Sequence, residues 1–252
     1  MVTCKNLYDN ENMKQISEMG QYKVFEHHRD MSVIPETAMS AYFASKMNVR
    51  RRQVLVELAG GSCIVQGGLM QWTAGQVQLT SGIKGVGDFL GKAIGSKVTK
   101  ESAVKPEYKG QGLVMLEPTF SHVLLEDVSK WDGMVLDDGL FMACDGTVEQ
   151  KVVARGSLSS AALGNEGLFN LCLKGKGIAV LESPVPREEL LEFVLEDDEI
   201  KIDGNMAIAW SNSLKFTVER SSKTLLGSAV SGEGLVNVYR GTGRILLAPT
   251  TR

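Results

Sequence analysis

Apolar residues in this chain come in short runs set between glycines and polar turns. Val54-Leu55-Val56-Glu57-Leu58, Leu113-Val114-Met115-Leu116 and Ile245-Leu246-Leu247 are three of them. Each is rich in β-branched or other apolar residues and is bounded by turn formers, as a strand requires. Many such strands at short, even spacing predict an all-β sandwich or barrel. Two segments follow a helical period instead. In Asn10–Met19, the residues Met13, Ile16 and Met19 recur at three-residue spacing. In Gly87–Lys97, the residues Phe89, Leu90 and Ile94 share one helical face.

The pattern repeats within the chain. Glu166-Gly167-Leu168-Phe169-Asn170-Leu171 returns as Glu233-Gly234-Leu235-Val236-Asn237-Val238, and an earlier copy is Gln111-Gly112-Leu113-Val114-Met115-Leu116. The two later copies run into Gly175-Lys176-Gly177 and Gly241-Thr242-Gly243, then into apolar strands. Between them, Met134–Val152 aligns without gaps on Ile200–Val218, keeping the period-two apolar pattern. Duplicated β units follow, with breaks near residues 100 and 166: units 1–100, 101–165 and 166–252 within one compact body. The two glycine pairs are expected in equivalent turns. Pro186-Arg187-Glu188-Glu189 opens like a helix, with Pro first and acids in the first turn. Its counterpart, Leu124–Gly133, is a poor helix former. Glu189–Leu195 is therefore read as strand and Glu196-Asp197-Asp198 as its turn.

Composition narrows the class. The 252 residues are 43% hydrophobic and 23% charged, so the chain can bury a sizeable core without staples. A net charge of −3 gives no overall field attracting nucleic acid, and no nucleic-acid partner is expected. Cys4, Cys63, Cys144 and Cys172 lie far apart, with no Cys-x-x-Cys pair, which reads as reduced thiols in a cytoplasmic protein. No apolar run approaches a membrane span, and Met1–Asn6 has no signal-peptide pattern.

The repeat residues also carry a family resemblance. Glu233–Ile245, with Glu166–Leu181, the Val135-Leu136-Asp137 and Ile202-Asp203-Gly204 hairpins and Ala207–Ser211, resembles the closing signature of the "altered inheritance of mitochondria twenty-four" family. Gly67-Gly68-Leu69-Met70 and the glycine-rich insert Gly82–Gly95 fit more loosely. The resemblance covers residues 40 to 250. It implies a fold similar to the tryptophan RNA-binding attenuation protein: three repeated units, like β-sandwich or double-stranded β-helix modules, in a pseudo-threefold arrangement with one or two short helices. Eukaryotic members are mitochondrial inner-membrane proteins. This chain lacks an Arg/Ser-rich leader and is similar to a bacterial member. The family brings no catalytic site, so no catalytic residue is carried over.

Candidate chemistry is sparse. There are three histidines, His27, His28 and His122. Adjacent strand residues point to opposite faces, so only one of His27 and His28 can join His122, too few for a metal centre. Gly85-Val86-Gly87-Asp88-Phe89-Leu90-Gly91 departs from the dinucleotide fingerprint in spacing and places Asp88 where a pyrophosphate would sit. Gly91-Lys92 is followed by Ala93, so the phosphate-loop motif is absent. No cofactor or metal is expected, and no Gly-x-Ser-x-Gly elbow occurs.

Arg50-Arg51-Arg52 is the densest basic run. On a strand Arg50 and Arg52 share a face and Arg51 takes the other. It reads as a solvated face or as an inter-subunit partner for the acidic stretch Glu182–Glu199. That stretch reads as an exposed, charged sheet edge. Phe89, Leu90 and Ile94, with Lys84, Lys92 and Lys97, form the candidate interaction surface. The insert either closes an open end of the β structure or docks a partner. As a short amphipathic helix it would support only weak peripheral membrane contact. The expected function is a non-enzymatic assembly or interaction protein, self-associating or binding another protein. The alternative is a small-ligand-binding or cupin-like enzyme, with His122 the first suspect.

Overall fold

The apolar runs form strands that pair antiparallel throughout two sheets. A computed structural model describes residues 2–80, 105–154, 169–220 and 235–250. The first sheet holds β1 (Met13–Met19), β2 (Tyr22–His27), β3 (Arg52–Val65), β4 (Met70–Thr80), β5 (Glu107–Leu116), β6 (His122–Asp127), β8 (Phe141–Asp145) and β11 (Ile178–Ser183). The second holds β7 (Met134–Leu136), β9 (Glu149–Ala154), β10 (Phe169–Lys174), β12 (Leu191–Ile202), β13 (Ala207–Ser211), β14 (Lys215–Arg220) and β15 (Leu235–Leu247). One helix, α1 (Ala38–Lys46), stands among the described residues.

Long strands join the parts of each sheet. In the first, β3 pairs with β2 along its first residues, with β5 over most of its length and with β8 at Cys63–Val65. In the second, β15 lies between β12 on one side and β13 and β14 on the other. Side-chain alternation then splits single strands between two cores. Met134 and Leu136 of β7 enter a central cluster with Phe141, Leu173, Leu181, Ile208 and Leu246. Val135, between them, joins Trp210, Phe216, Tyr239 and Ile245 in a second cluster. Likewise Ala179 and Leu181 of β11 enter the central cluster, while Val180 packs with Tyr22, Val54, Val56 and Val114. Strands covered on both faces need unbroken apolar sequence, as Met134-Val135-Leu136 and Ala179-Val180-Leu181 have. A large apolar side chain buried this way contributes roughly 1.5–3 kcal/mol.

Four expectations need correcting. Asn10–Met19 is not a helix: Met13–Met19 is β1, hairpinned onto β2 across Gly20. Its three-residue apolar spacing makes no buried stripe, because Met13 alone is buried and Ile16 faces solvent. A register shift between Gln15 and Ser17 breaks the alternation that would have marked the strand.

The glycine pairs do not occupy equivalent turns. Gly175 (φ +102°) and Gly177 (φ +146°) carry the chain from β10 in the second sheet to β11 in the first. A Cβ at Gly177 would lie 2.8 Å from Val148, so the corner needs glycine for space as well as for backbone freedom. Gly241 (φ +117°) and Gly243 instead lie inside the continuous strand β15.

Glu196-Asp197-Asp198 is not a turn. It is a bulge within β12 opposite Gly241–Gly243, with Asp197 at φ +54° and its N–H donating to Thr242 Oγ1 at 3.0 Å. The strand reading of Glu189–Leu195 holds from Leu191 onward; Arg187–Glu189 forms a single 3₁₀ turn.

The last correction concerns Arg50-Arg51-Arg52. Arg52 is buried inside the first sheet, paired to a carboxylate on the neighbouring strand.

Candidate functional site

The end of β2 and the start of β3 build a charged cluster by strand register alone. Glu26 lies directly across from Arg52, so Glu26 and His28 on one chain segment share a face with Arg50 and Arg52 on the other. Arg52 Nη2 sits 2.7 Å from Glu26 Oε2. Arg52 Nη1 donates to the Phe120 and Ser121 carbonyls at 3.4 and 3.3 Å, and its backbone exchanges hydrogen bonds with Thr119. A single buried arginine thereby fastens the loop before β6 to the sheet.

Glu26 Oε1 serves the remaining cations poorly. His28 Nε2 lies at 3.3 Å and Arg50 Nε at 3.8 Å. Arg50 Nε and Nη1 are shielded from solvent and have no hydrogen-bond partner. On the opposite face, His27 Nε2 is 2.8 Å from Gln53 Oε1, and Arg51 pairs with Asp30. One carboxylate thus stands among two arginines and a histidine. The local electrostatics follow: burial, and next the Arg50 charge, hold His28 below the ordinary imidazole range. Burial, and next the Arg52 charge, do the same to His122 at the start of β6.

Beside this cluster α1 arches over a cleft of about 770 Å³. Its lining combines Arg29, Arg50 and Arg51 with Ala41, Ala44 and Val49, and Ser40 and Ser45 of α1 also contribute. The helix forms for local reasons. Pro35-Glu36-Thr37 leads into a run of good helix formers, and Lys46 lies in the last turn. None of its residues is buried. Met39, Tyr42, Phe43 and Met47 are exposed, Met39 and Met47 at 74% and 75%.

The sequence reading located part of this site. It singled out Arg50-Arg51-Arg52 and their alternation, and the three histidines. It missed Glu26 as the partner and α1 altogether. The Pro-Glu-Thr start and the alanines were the available signal, but an unburied helix has no apolar stripe to find. Phe89, Leu90 and Ile94 lie outside the described residues, as does the Gly82–Lys97 insert. Among the described residues, no group of three or more His, Cys, Asp or Glu is placed to hold a metal ion. Cys63, Cys144 and Cys172 are buried free thiols; burial pushes Cys63 up to about 12 and Cys144 upward as well, so neither is ionised near neutrality. Among the described residues no helix is long and apolar enough to cross a membrane.

Comparison with known proteins places the chain. A protein from Streptococcus pyogenes serotype M6, named only as uncharacterized, is 28% identical over 195 residues, spanning 75% of this chain and 77% of that one. A crystal structure of a Streptococcus pyogenes protein aligns over 95% of this chain and 94% of its own, with a TM-score of 0.57 at 23% identity, and so shares the fold. The family model described as mitochondrial biogenesis AIM24 matches residues 46–250. Arg50, Arg51, Arg52 and Phe120 fall inside that stretch; Glu26, His28 and most of α1 precede it. With all but the first strands inside the match, the chain belongs to the mitochondrial biogenesis AIM24 family.

Proposed function

We propose that this protein is a non-enzymatic assembly or interaction protein whose docking element is the stretch from Met31 to Val49. The observation that carries the reading is α1, a helix that buries none of its residues and exposes Met39, Tyr42 and Phe43, with Met47 exposed directly after it. Met31, Val33, Ile34 and Val49 extend the exposed apolar surface on either side. Met and aromatic side chains are those enriched where proteins meet. The occupant is a second copy of the chain. The rest of the body supports a scaffold: strands buried on both faces leave little that can move. The three buried free thiols support a reduced, cytoplasmic setting.

We also propose that the body is built from duplicated units in a pseudo-threefold arrangement like that of the tryptophan RNA-binding attenuation protein. In support, β8, β9 and the start of β10 recur as β13, β14 and the start of β15 at one constant offset along the chain.

Light scattering after size exclusion tests the docking reading. Phe43→Asp combined with Met47→Asp should reduce the assembly to single chains and leave the melting curve in place, since α1 supports no core. An unchanged assembly state would refute self-association through this element. A large fall in melting temperature would refute the claim that α1 is spare to the fold.

A further inference from the structure

The cleft beside α1 shares Val33, Tyr42 and Val49 with the docking stretch, but its chemistry is different, because arginines line it as well. Its charged lining is mostly cationic. Asp30 is the acidic residue lining it, and Arg51 already occupies that carboxylate. Arg29 has no ion pair among the described residues. Arg50 reaches only the far side of a Glu26 carboxylate committed to Arg52, and two of its N–H groups lack an acceptor. Guanidinium nitrogens shielded from water without acceptors, as Nε and Nη1 are here, are costly, and an incoming oxyanion is the group that relieves them. The lining also has an apolar part: Ala41 and Ala44, the half-buried residues of α1, together with Val49 and Phe120. The volume, about 770 Å³, is that of a small-molecule site.

We propose that this cleft binds a small single-chain amphiphile with an oxyanion head, the head set against Arg50 and the apolar body lying along Ala41, Ala44 and Val49. The small alanine side chains leave room for the body. The head would supply the acceptor that Glu26 cannot, and would offset the excess positive charge of Arg29 and Arg50.

Isothermal titration with octanoate, octylammonium, 1-octanol and inorganic phosphate tests this on the full chain. Octanoate should bind saturably and more tightly than phosphate, while octylammonium should not bind. Arg50→Gln should weaken octanoate about tenfold or more, the loss of one charge-assisted contact. Ala41→Trp should abolish octanoate binding by filling the cleft. Because no residue of α1 is fully buried and the helix supports no core cluster, that variant should melt like the parent, so it stands as a test even if Arg50→Gln proves unstable. Octanol binding as tightly as octanoate would overturn the role of the head, and phosphate binding as tightly would overturn the role of the apolar body. Undiminished octanoate binding by Arg50→Gln, or by Ala41→Trp, would overturn the site. These readouts are affinities, so they fail or succeed separately from the assembly state.

Discussion

Each of the two sheets holds a charge cluster built around one central group, and the central groups are opposite in sign. At the end of the first sheet one carboxylate, Glu26, stands among Arg50, Arg52 and His28. In the second sheet one guanidinium, Arg240 of β15, stands between two carboxylates. Its Nε donates to Glu199 of β12 at 2.8 Å and its Nη2 to Glu219 of β14 at 2.9 Å. The Arg240 cluster is open to solvent and every member has a hydrogen-bond partner. The Glu26 cluster is mostly enclosed, with Arg52 at 4% exposure, and leaves Arg50 unsatisfied. The same charge types therefore have unequal consequences in the two settings. In water, ion pairs gain little because solvent and salt screen them. In an enclosed setting a charge must be matched, and a mismatch is retained only where something else compensates. The satisfied cluster is a strand clamp; the unsatisfied one lines a cleft.

The sharpest break of this comparison is Glu26→Ala. It leaves Arg52 buried without its carboxylate and should cost about 3–5 kcal/mol, read by urea or thermal unfolding. A cost under about 1 kcal/mol would show that the Phe120 and Ser121 carbonyls suffice for Arg52 and that the two clusters are energetically alike. Replacing both partners, Glu26→Leu with Arg52→Met, should recover most of the loss, since removing a buried pair together is near neutral.

A smaller effect comes from pH. His28 and His122 are held below the ordinary imidazole value of 6.5 in the folded state. The folded chain therefore binds fewer protons than the unfolded one across that range. Stability should be full above about pH 6.5 and decline as pH falls below it toward the folded values. Melting temperatures between pH 7.5 and 5 should show this slope, and His28→Gln with His122→Gln should flatten it. A slope that survives both substitutions would assign the effect elsewhere.

The smallest effect is expected at the open cluster. Hydrogen bonds from Arg240 and then Thr217 hold the Glu219 carboxyl down to about 2. Its contribution is present above the ordinary glutamate value of 4.5 and lost as pH falls through about 2. Arg240→Gln should shift the acid-unfolding midpoint slightly upward, with the difference shrinking in high salt. A salt-independent shift as large as that of Glu26→Ala would erase the contrast between the two regions.

Sequence alone determined what nearest neighbours along the chain can encode. The runs around Val54, Leu113 and Ile245 were legible as strands and lie in β3, β5 and β15. The alternation of Arg50, Arg51 and Arg52 was legible too: Arg50 and Arg52 reach Glu26 while Arg51 reaches Asp30. Both rest on the two-residue period of extended backbone, a local property. What escaped depends on which strand lies beside which. Nothing near Glu26 in sequence announces that Arg52 will sit opposite it. The spacing of Met13, Ile16 and Met19 mimics a helix until β2 pairs with it and a bulge takes up the extra residue. Gly175–Gly177 and Gly241–Gly243 look alike as sequence, yet one turns the chain into the other sheet and the other stays within β15. Local geometry sets the period of a segment, whereas register, two-sided burial and the matching of charges arise from contacts between segments far apart in the chain. Strands such as β3, β5 and β15 could therefore be read from the sequence, and the cleft only from the tertiary structure.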